Sequence, residues 1–271
     1  MTVKERKDCI EVSGFGEINL SLTLDCGQAF RWREENGVWL GTAFGRSVGV
    51  VQDENKLLFY GSSLEDVKKI WIKYFDLERD YESVLEGFLT DDRIEQTVRR
   101  SGTVRILCQE PWEALCSFII SQCNNIPRIK GIINTLCVNF GEELPGGSFT
   151  FPSAEIIASK TEEELSVLHA GYRTPYILAA ARAVSMGEVD LSGLSLSPLD
   201  DARKALMSIR GVGRKVADCT LLFSMGFSEV FPVDRHISRA VKEMYPEGLP
   251  ESFAAFPGLA QQYIFITRAI N

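Results

Sequence analysis

Histidine is nearly missing from this chain: His169 and His236 are the only two in 271 residues. That scarcity excludes multi-histidine metal sites and most imidazole chemistry, leaving catalysis to carboxylates, Lys, Cys or Ser. Cysteine occurs seven times, at Cys9, Cys26, Cys108, Cys116, Cys123, Cys137 and Cys219, and never as C-x-x-C. No zinc or iron–sulfur signature results. The odd number and irregular spacing, after a charged and leaderless start over residues 1–11, predict free thiols in a reducing compartment. Long apolar runs are lacking as well; 118–120 and 221–223 fall far short of the roughly 20 residues that a bilayer requires. There is no low-complexity tract and no repeat. A soluble intracellular protein is expected, cytoplasmic or at the nucleoid if the source is bacterial.

A general excess of basic charge is also missing, for the net charge is −8. Taken alone this argues against a phosphate-binding partner. Its distribution argues otherwise. Arg203, Lys204, Arg210, Arg214, Lys215, Arg235, Arg239 and Lys242 face only Asp218, Glu229 and Asp234 across 203–242, while acids gather at 76–92 and 162–164.

What is present divides into two halves. Ile18, Leu20, Leu22 and Leu24 alternate with polar residues, which predicts a half-buried strand. Further strands are expected at 30–33, 38–44, 47–52 and 57–60, with turns at Gly37, Gly45-Arg46 and 53–55, giving a meandering antiparallel sheet. From Ser63, an N-cap with Asp66 at N3, the period becomes helical. Helices are expected after Pro111, over 126–140, from the Thr161/Glu164 capping box, around 177–184, near 201–209, 214–225 and 235–245, and from Pro257. The fold class is α+β: an N-terminal antiparallel sheet region over 1–100, followed by a helical region over 101–271. The boundary falls near 76–110, and a second, softer one in the Ser/Gly/Leu-rich linker at 191–198.

The most informative stretch runs from Leu206 through Gly211-Val-Gly213, Arg214 and Lys215 to Leu221. One helix ends, a glycine turn follows, and another helix starts at once. Unpaired N–H groups at the new N-terminus form an anion site suited to a DNA phosphate. An ordinary αα-hairpin would look the same from the glycines alone. Lys215 adds to the case: a cation is disfavoured in a first helical turn, and a neutral amine is what a Schiff-base nucleophile needs. Asp234, in Phe-Pro-Val-Asp-Arg-His236, is placed to cap the next helix. As a held carboxylate it could also stabilise positive charge on a sugar or help deprotonate the nucleophile.

Glycine turn, Lys215 and Pro-Val-Asp234 together resemble the helix-hairpin-helix DNA glycosylase superfamily, and the Lys-plus-Asp pair resembles its bifunctional members. With no cysteine after Cys219, the iron–sulfur branches fit poorly. Four further elements are similar to the 8-oxoguanine glycosylase/AP lyase branch. They are Gly27-Gln-Ala-Phe-Arg-Trp32, Ser121-Gln-Cys-Asn-Asn-Ile-Pro-Arg128, Gly171-Tyr-Arg173 and Gly258-Leu-Ala-Gln-Gln-Tyr-Ile-Phe265.

The resemblance implies the following roles. The Gly27 carbonyl accepts the N7 proton that 8-oxoguanine has and guanine lacks. Gln261 reads the Watson–Crick edge, and the base is held between Phe265 and Cys219. Asn124 and Asn125 lie in the loop that fills the gap, Tyr172 is the wedge, and Arg128 and Arg173 read the opposite cytosine. Gly211, Gly213 and His236 meet phosphates. No cofactor is needed, and the hairpin carbonyls could hold a structural monovalent cation. The partner is double-stranded DNA containing 8-oxoguanine, bound by a monomer, with no membrane. Cys123 departs from the family's usual Asn, which bears on the stringency for cytosine. An alkylated-base glycosylase and a non-catalytic DNA-binding module are the rival readings.

Overall fold

A computed structural model describes residues 1–270; Asn271, the last residue of the expected helical region, lies outside them. Among the described residues, six strands form one antiparallel sheet in the order β1-β2-β6-β5-β4-β3. They are β1 (Thr2–Glu5), β2 (Ile10–Ser13), β3 (Trp32–Glu35), β4 (Val38–Ala43), β5 (Arg46–Asp53) and β6 (Lys56–Tyr60). The meander from β3 to β6 matches the sequence reading. β1 and β2 extend it along the free edge of β6, pairing Ile10 with Phe59 and Val12 with Leu57. The charged face of 1–11 hides this pair of strands from hydrophobic patterning.

One expected strand is a helix. Residues Leu20–Asp25 turn helically, capped by Asn19, whose side chain accepts the Leu22 N–H. Leucines at 20 and 24 satisfy a helical spacing as well as an alternating one, and Leu20, Thr23 and Leu24 are all buried. Gln52 of β5 settles the choice by accepting from Leu20 N at 2.9 Å and donating to Ile18 O at 2.7 Å.

Ser63 caps its helix as expected, accepting from Asp66 N at 3.0 Å, and that helix contains a π turn at Val67–Trp71. Thr161 and Glu164 make reciprocal capping bonds, yet they open a 3-10 helix, Glu164–Leu168, that stops at left-handed His169. The softer linker is a short capped helix, Leu191–Leu194, with both leucines buried.

Two apolar cores result. The sheet packs around Trp32, Phe59, Trp71 and Phe75. The helical body packs around Leu115, Phe118, Leu136, Phe223 and Phe256. Phe30, the first residue of an expected strand, lies ahead of β3 and meets Phe118 edge-to-face at 6.1 Å in the helical core. Helices Glu82–Phe88 and Glu95–Ser101, unread in the sequence, belong to the helical core, where Thr97 bonds Thr267 of the C-terminal helix Pro257–Ile270.

A buried seam joins the cores. Arg31 pairs with Glu113 at 3.0 Å and donates to the Phe149 carbonyl. Gln28 bonds Leu107 N, Arg105 O and Thr23 O, while Gln109 returns to the Gln28 carbonyl at 2.7 Å. Burial pushes the Glu113 carboxyl up, and Arg31 draws it part of the way back.

Candidate active site and DNA-binding face

Helix Leu199–Met207 ends at Ser208, and helix Arg214–Met225 begins after Gly213. Gly211 alone of the two glycines needs its freedom: its φ is 88° and a Cβ there would run into the Tyr176 ring. Gly213 is extended, with φ −92° and ψ 176°, a conformation open to any residue. At Gly213 the glycine leaves open space over the helix N-terminus, where a Cβ would meet nothing within 4 Å. Arg203 straps the hairpin by bonding Asp218 at 2.6 Å and Asp200 at 2.8 Å, and Arg214 reaches Asp218 too. The basic stretch is therefore less positive than its residue count. Arg210, Arg235 and Lys242 have no carboxylate partner among the described residues.

Lys215 stands in the first turn of the second helix, half-buried. Its Nζ donates to Ser121 Oγ at 3.2 Å and lies 5.2 Å from the centre of the Phe118 ring. Ser121 donates its own proton to Phe118 O, so its lone pairs face the lysine. Cys219, one turn on, is buried. Burial pushes its thiol up, the hydrogen-bonded Lys215 ammonium pulls it down, and Asp218 and Asp234 push it up further. Lys215, Cys219 and Asp234 thus share one electrostatic neighbourhood. Asp234 caps helix Arg235–Met244, with Oδ1 accepting from Ile237 N at 2.8 Å. His236 is exposed in that first turn. Ser121 and Phe118 were missed as lysine neighbours; the end of a different helix supplies them, and no local pattern marks that.

Gln122 joins the loops that carry the expected DNA contacts. Its side chain donates to Gly211 O at 3.2 Å, and its carbonyl accepts from Tyr172 Oη at 3.1 Å and from Arg173 Nε at 2.8 Å. Tyr172 is 51% exposed. Arg173 is only 3% exposed, with its guanidinium committed to the carbonyls of Ala170, Gln122 and Cys123. Arg128 is exposed and touches His169 O at 3.3 Å. Asn124 folds back on Ile120 O, while Asn125 caps helix Ile126–Phe140. Cys123 is exposed with φ 47°.

The residues expected to line the base pocket come from the chain's extremes. Gly27 has φ 85°, a conformation that suits glycine and turns the adjoining peptide. Gly258 lets the C-terminal helix close on Leu222, whose helix carries Cys219; a Cβ at 258 would clash there. Gln261 is 5% exposed and Phe265 half-buried on one face of that helix. A separate cleft of about 1110 Å³, lined by Glu17, Glu78, Asp80, Glu82 and Glu86 together with Arg79, Arg99 and Arg105, holds none of these residues. Among the described residues no three His, Cys, Asp or Glu side chains gather as metal ligands, and no helix is long and apolar enough to cross a membrane.

Comparison with known proteins gives this arrangement a lineage. Residues 13–115 match the model of the 8-oxoguanine DNA glycosylase N-terminal domain, and 116–248 match that of HhH-GPD superfamily base excision DNA repair proteins. An N-glycosylase/DNA lyase of Saccharomyces cerevisiae is 32% identical over 84% of this chain and 69% of its own length. The structure of MBOgg1 in complex with a low-affinity DNA ligand is 37% identical, with a TM-score of 0.93 over 99% of this chain and 98% of that one. The Clostridium acetobutylicum 8-oxoguanine glycosylase/lyase, in complex with DNA bearing cytosine opposite 8-oxoguanine, is 33% identical, with a TM-score of 0.91 over 100% and 98%. Together with the Lys215–Cys219–Asp234 neighbourhood behind the glycine hairpin, these matches establish that the chain belongs to the 8-oxoguanine N-glycosylase/DNA lyase family of the HhH-GPD superfamily.

Proposed function

We propose that this protein excises 8-oxoguanine, preferentially opposite cytosine, from duplex DNA and then nicks the strand at the resulting site. The observation that carries the reading is Lys215, seated at a helix N-terminus on a serine lone pair, beside a buried thiol and a capping carboxylate. The hairpin N–H groups and exposed His236 hold phosphates, and Tyr172 enters the stack while the lesion swings out. Extrusion costs roughly a few kcal/mol, least for a damaged base. The Gly27 carbonyl accepts from N7–H, Gln261 meets the Watson–Crick edge, and Cys219 and Phe265 cover the two faces. Arg128 is free to read the opposite cytosine; Arg173 adds its contact on leaving the loop carbonyls.

Lys215 first gives up a proton; its amine then attacks C1′ as the C1′–N9 bond breaks, and the base leaves with the electron pair and takes up a proton. Asp234 stabilises the positive charge that develops on the sugar. Loss of protons from the new amine and opening of the sugar give an imine. Removal of a C2′ proton then expels the 3′ phosphate by β-elimination. Every step uses this chain's own side chains, with no cofactor; a monovalent cation on the hairpin carbonyls would be structural. The protein acts as a monomer inside the cell.

Borohydride tests the reading directly. With an 8-oxoguanine·cytosine duplex, reduction of the imine should leave a covalent protein–DNA adduct, and Lys215→Gln should leave none. DNA binding without an adduct from the native protein would overturn the lyase assignment.

A further inference from the structure

Gln261 is to read a base edge, and a glutamine amide reads in two opposite senses depending on which way round it lies. The neighbouring hydrogen bonds fix that sense. Leu107 N–H, which can only donate, bonds Gln28 Oε1 at 2.9 Å. Gln28 Nε2 therefore faces the carbonyls of Thr23 and Arg105, both at 2.8 Å, which can only accept. The same Nε2 lies 3.5 Å from Cys26 Sγ. Cys26 is buried, and burial pushes its thiol up to about 12, so at neutral pH it keeps a proton to give. Two acceptors are in reach: Gln262 Oε1 at 3.2 Å, and Thr23 O at 3.8 Å, already bonded to Gln28. The nearer one takes it. With its oxygen on Cys26, Gln262 turns Nε2 to Gln261 Oε1 at 2.8 Å.

We propose that Cys26 and Gln262 are positioning residues that lock the amide of Gln261 in one sense, so that the pocket selects a guanine-type Watson–Crick edge over an adenine-type edge. The inference rests on the proposed base excision. One lone pair of Gln261 Oε1 is occupied, and the other lone pair and the NH₂ group remain for the base. An amide of fixed order pairs with O6 and N1–H of guanine, or with N6–H and N1 of adenine, and cannot serve both. A freely turning amide could. Gly27 does not separate these bases once each carries an 8-oxo group, because both then present N7–H.

The experiment measures single-turnover excision of 8-oxoguanine and 8-oxoadenine from otherwise identical duplexes, beside incision of a preformed abasic site. Cys26→Ala and Gln262→Met remove the relay, and Cys26→Ser keeps a donor. The expected result is a fall of about tenfold in the 8-oxoguanine/8-oxoadenine ratio for the first two, the scale of one misdirected hydrogen bond. Cys26→Ser should retain the ratio within about twofold, and abasic-site incision, which has no base to read, should hold for all three. If Gln262→Met does not fold, Cys26→Ala and Cys26→Ser still make the comparison. An unchanged ratio in variants of a protein that excises 8-oxoguanine overturns the relay and leaves the proposed function standing. Equal losses in excision and abasic incision at unchanged ratio mark a packing role and also overturn it. No excision of 8-oxoguanine by the native protein overturns both.

Discussion

Lys215, Cys219 and Asp234 come from one stretch, 215–234, whereas Gly27 and Gln261 come from opposite ends of the chain. The reacting end is held by short-range devices: a glycine turn, a helix N-terminus, an N-cap and the Arg203–Asp218 strap. The end proposed to read the base is held by long-range ones: Gln28 on Leu107, Cys26 on Gln262, and Gly258 against Leu222. Chemistry common to a superfamily can ride on a local motif. The base recognition proposed for Gly27 and Gln261 draws on parts that a single segment cannot supply, joined through the seam between sheet and helices.

The contrast predicts where damage separates activity from stability. The largest effect falls on the local end: Lys215→Gln should abolish the borohydride adduct while the unfolding midpoint hardly moves. Asp234→Asn comes next. Asn caps about as well as Asp, so stability should hold while single-turnover excision falls about 10²- to 10⁴-fold. A large stability loss in that variant would reduce Asp234 to a cap.

On the seam the ranking should reverse. Arg31→Leu strands the buried Glu113 carboxyl, and urea unfolding should show a loss of about 3 kcal/mol. Adding Glu113→Leu should restore most of it, and an unrecovered loss would mean that Arg31 acts through Phe149 and its apolar stem instead.

The smallest effect concerns pH. Burial, with Glu113 pushing the same way and Arg31 opposing, pushes half-buried Glu110 up to about 7 from an ordinary 4.5. Between those values the folded protein holds a proton that the unfolded chain releases. Stability should therefore fall as pH rises through the window, by on the order of 1–3 kcal/mol. Glu110→Gln should flatten the slope, being closest to the native protein at acid pH and more stable than it at pH 8. An equal slope in both would assign the pH dependence to another group.

Legibility follows the same division. The four-strand meander, the caps at Ser63 and Asp234, and the hairpin were readable because each is set by neighbours in sequence. The helix Leu20–Asp25 was misread because leucines at 20, 22 and 24 fit two periods, and a side chain from β5 decides between them. β2 went unread because its partner in the sheet is β6, more than forty residues away, and β1, which pairs only with β2, went unread with it. The burial of Arg173 against the carbonyls of Gln122 and Cys123 was not legible either, because they lie about fifty residues away in another loop.

The amino-acid order by itself determined the residue types at the reacting end and the turn that presents them, because glycine conformation, helix capping and the helix dipole act over a few residues. The tertiary structure decided which serine faces Lys215, which arginine stays outside, and which way the Gln261 amide lies. Those depend on hydrogen bonds and buried charge between segments that meet only when the two cores close.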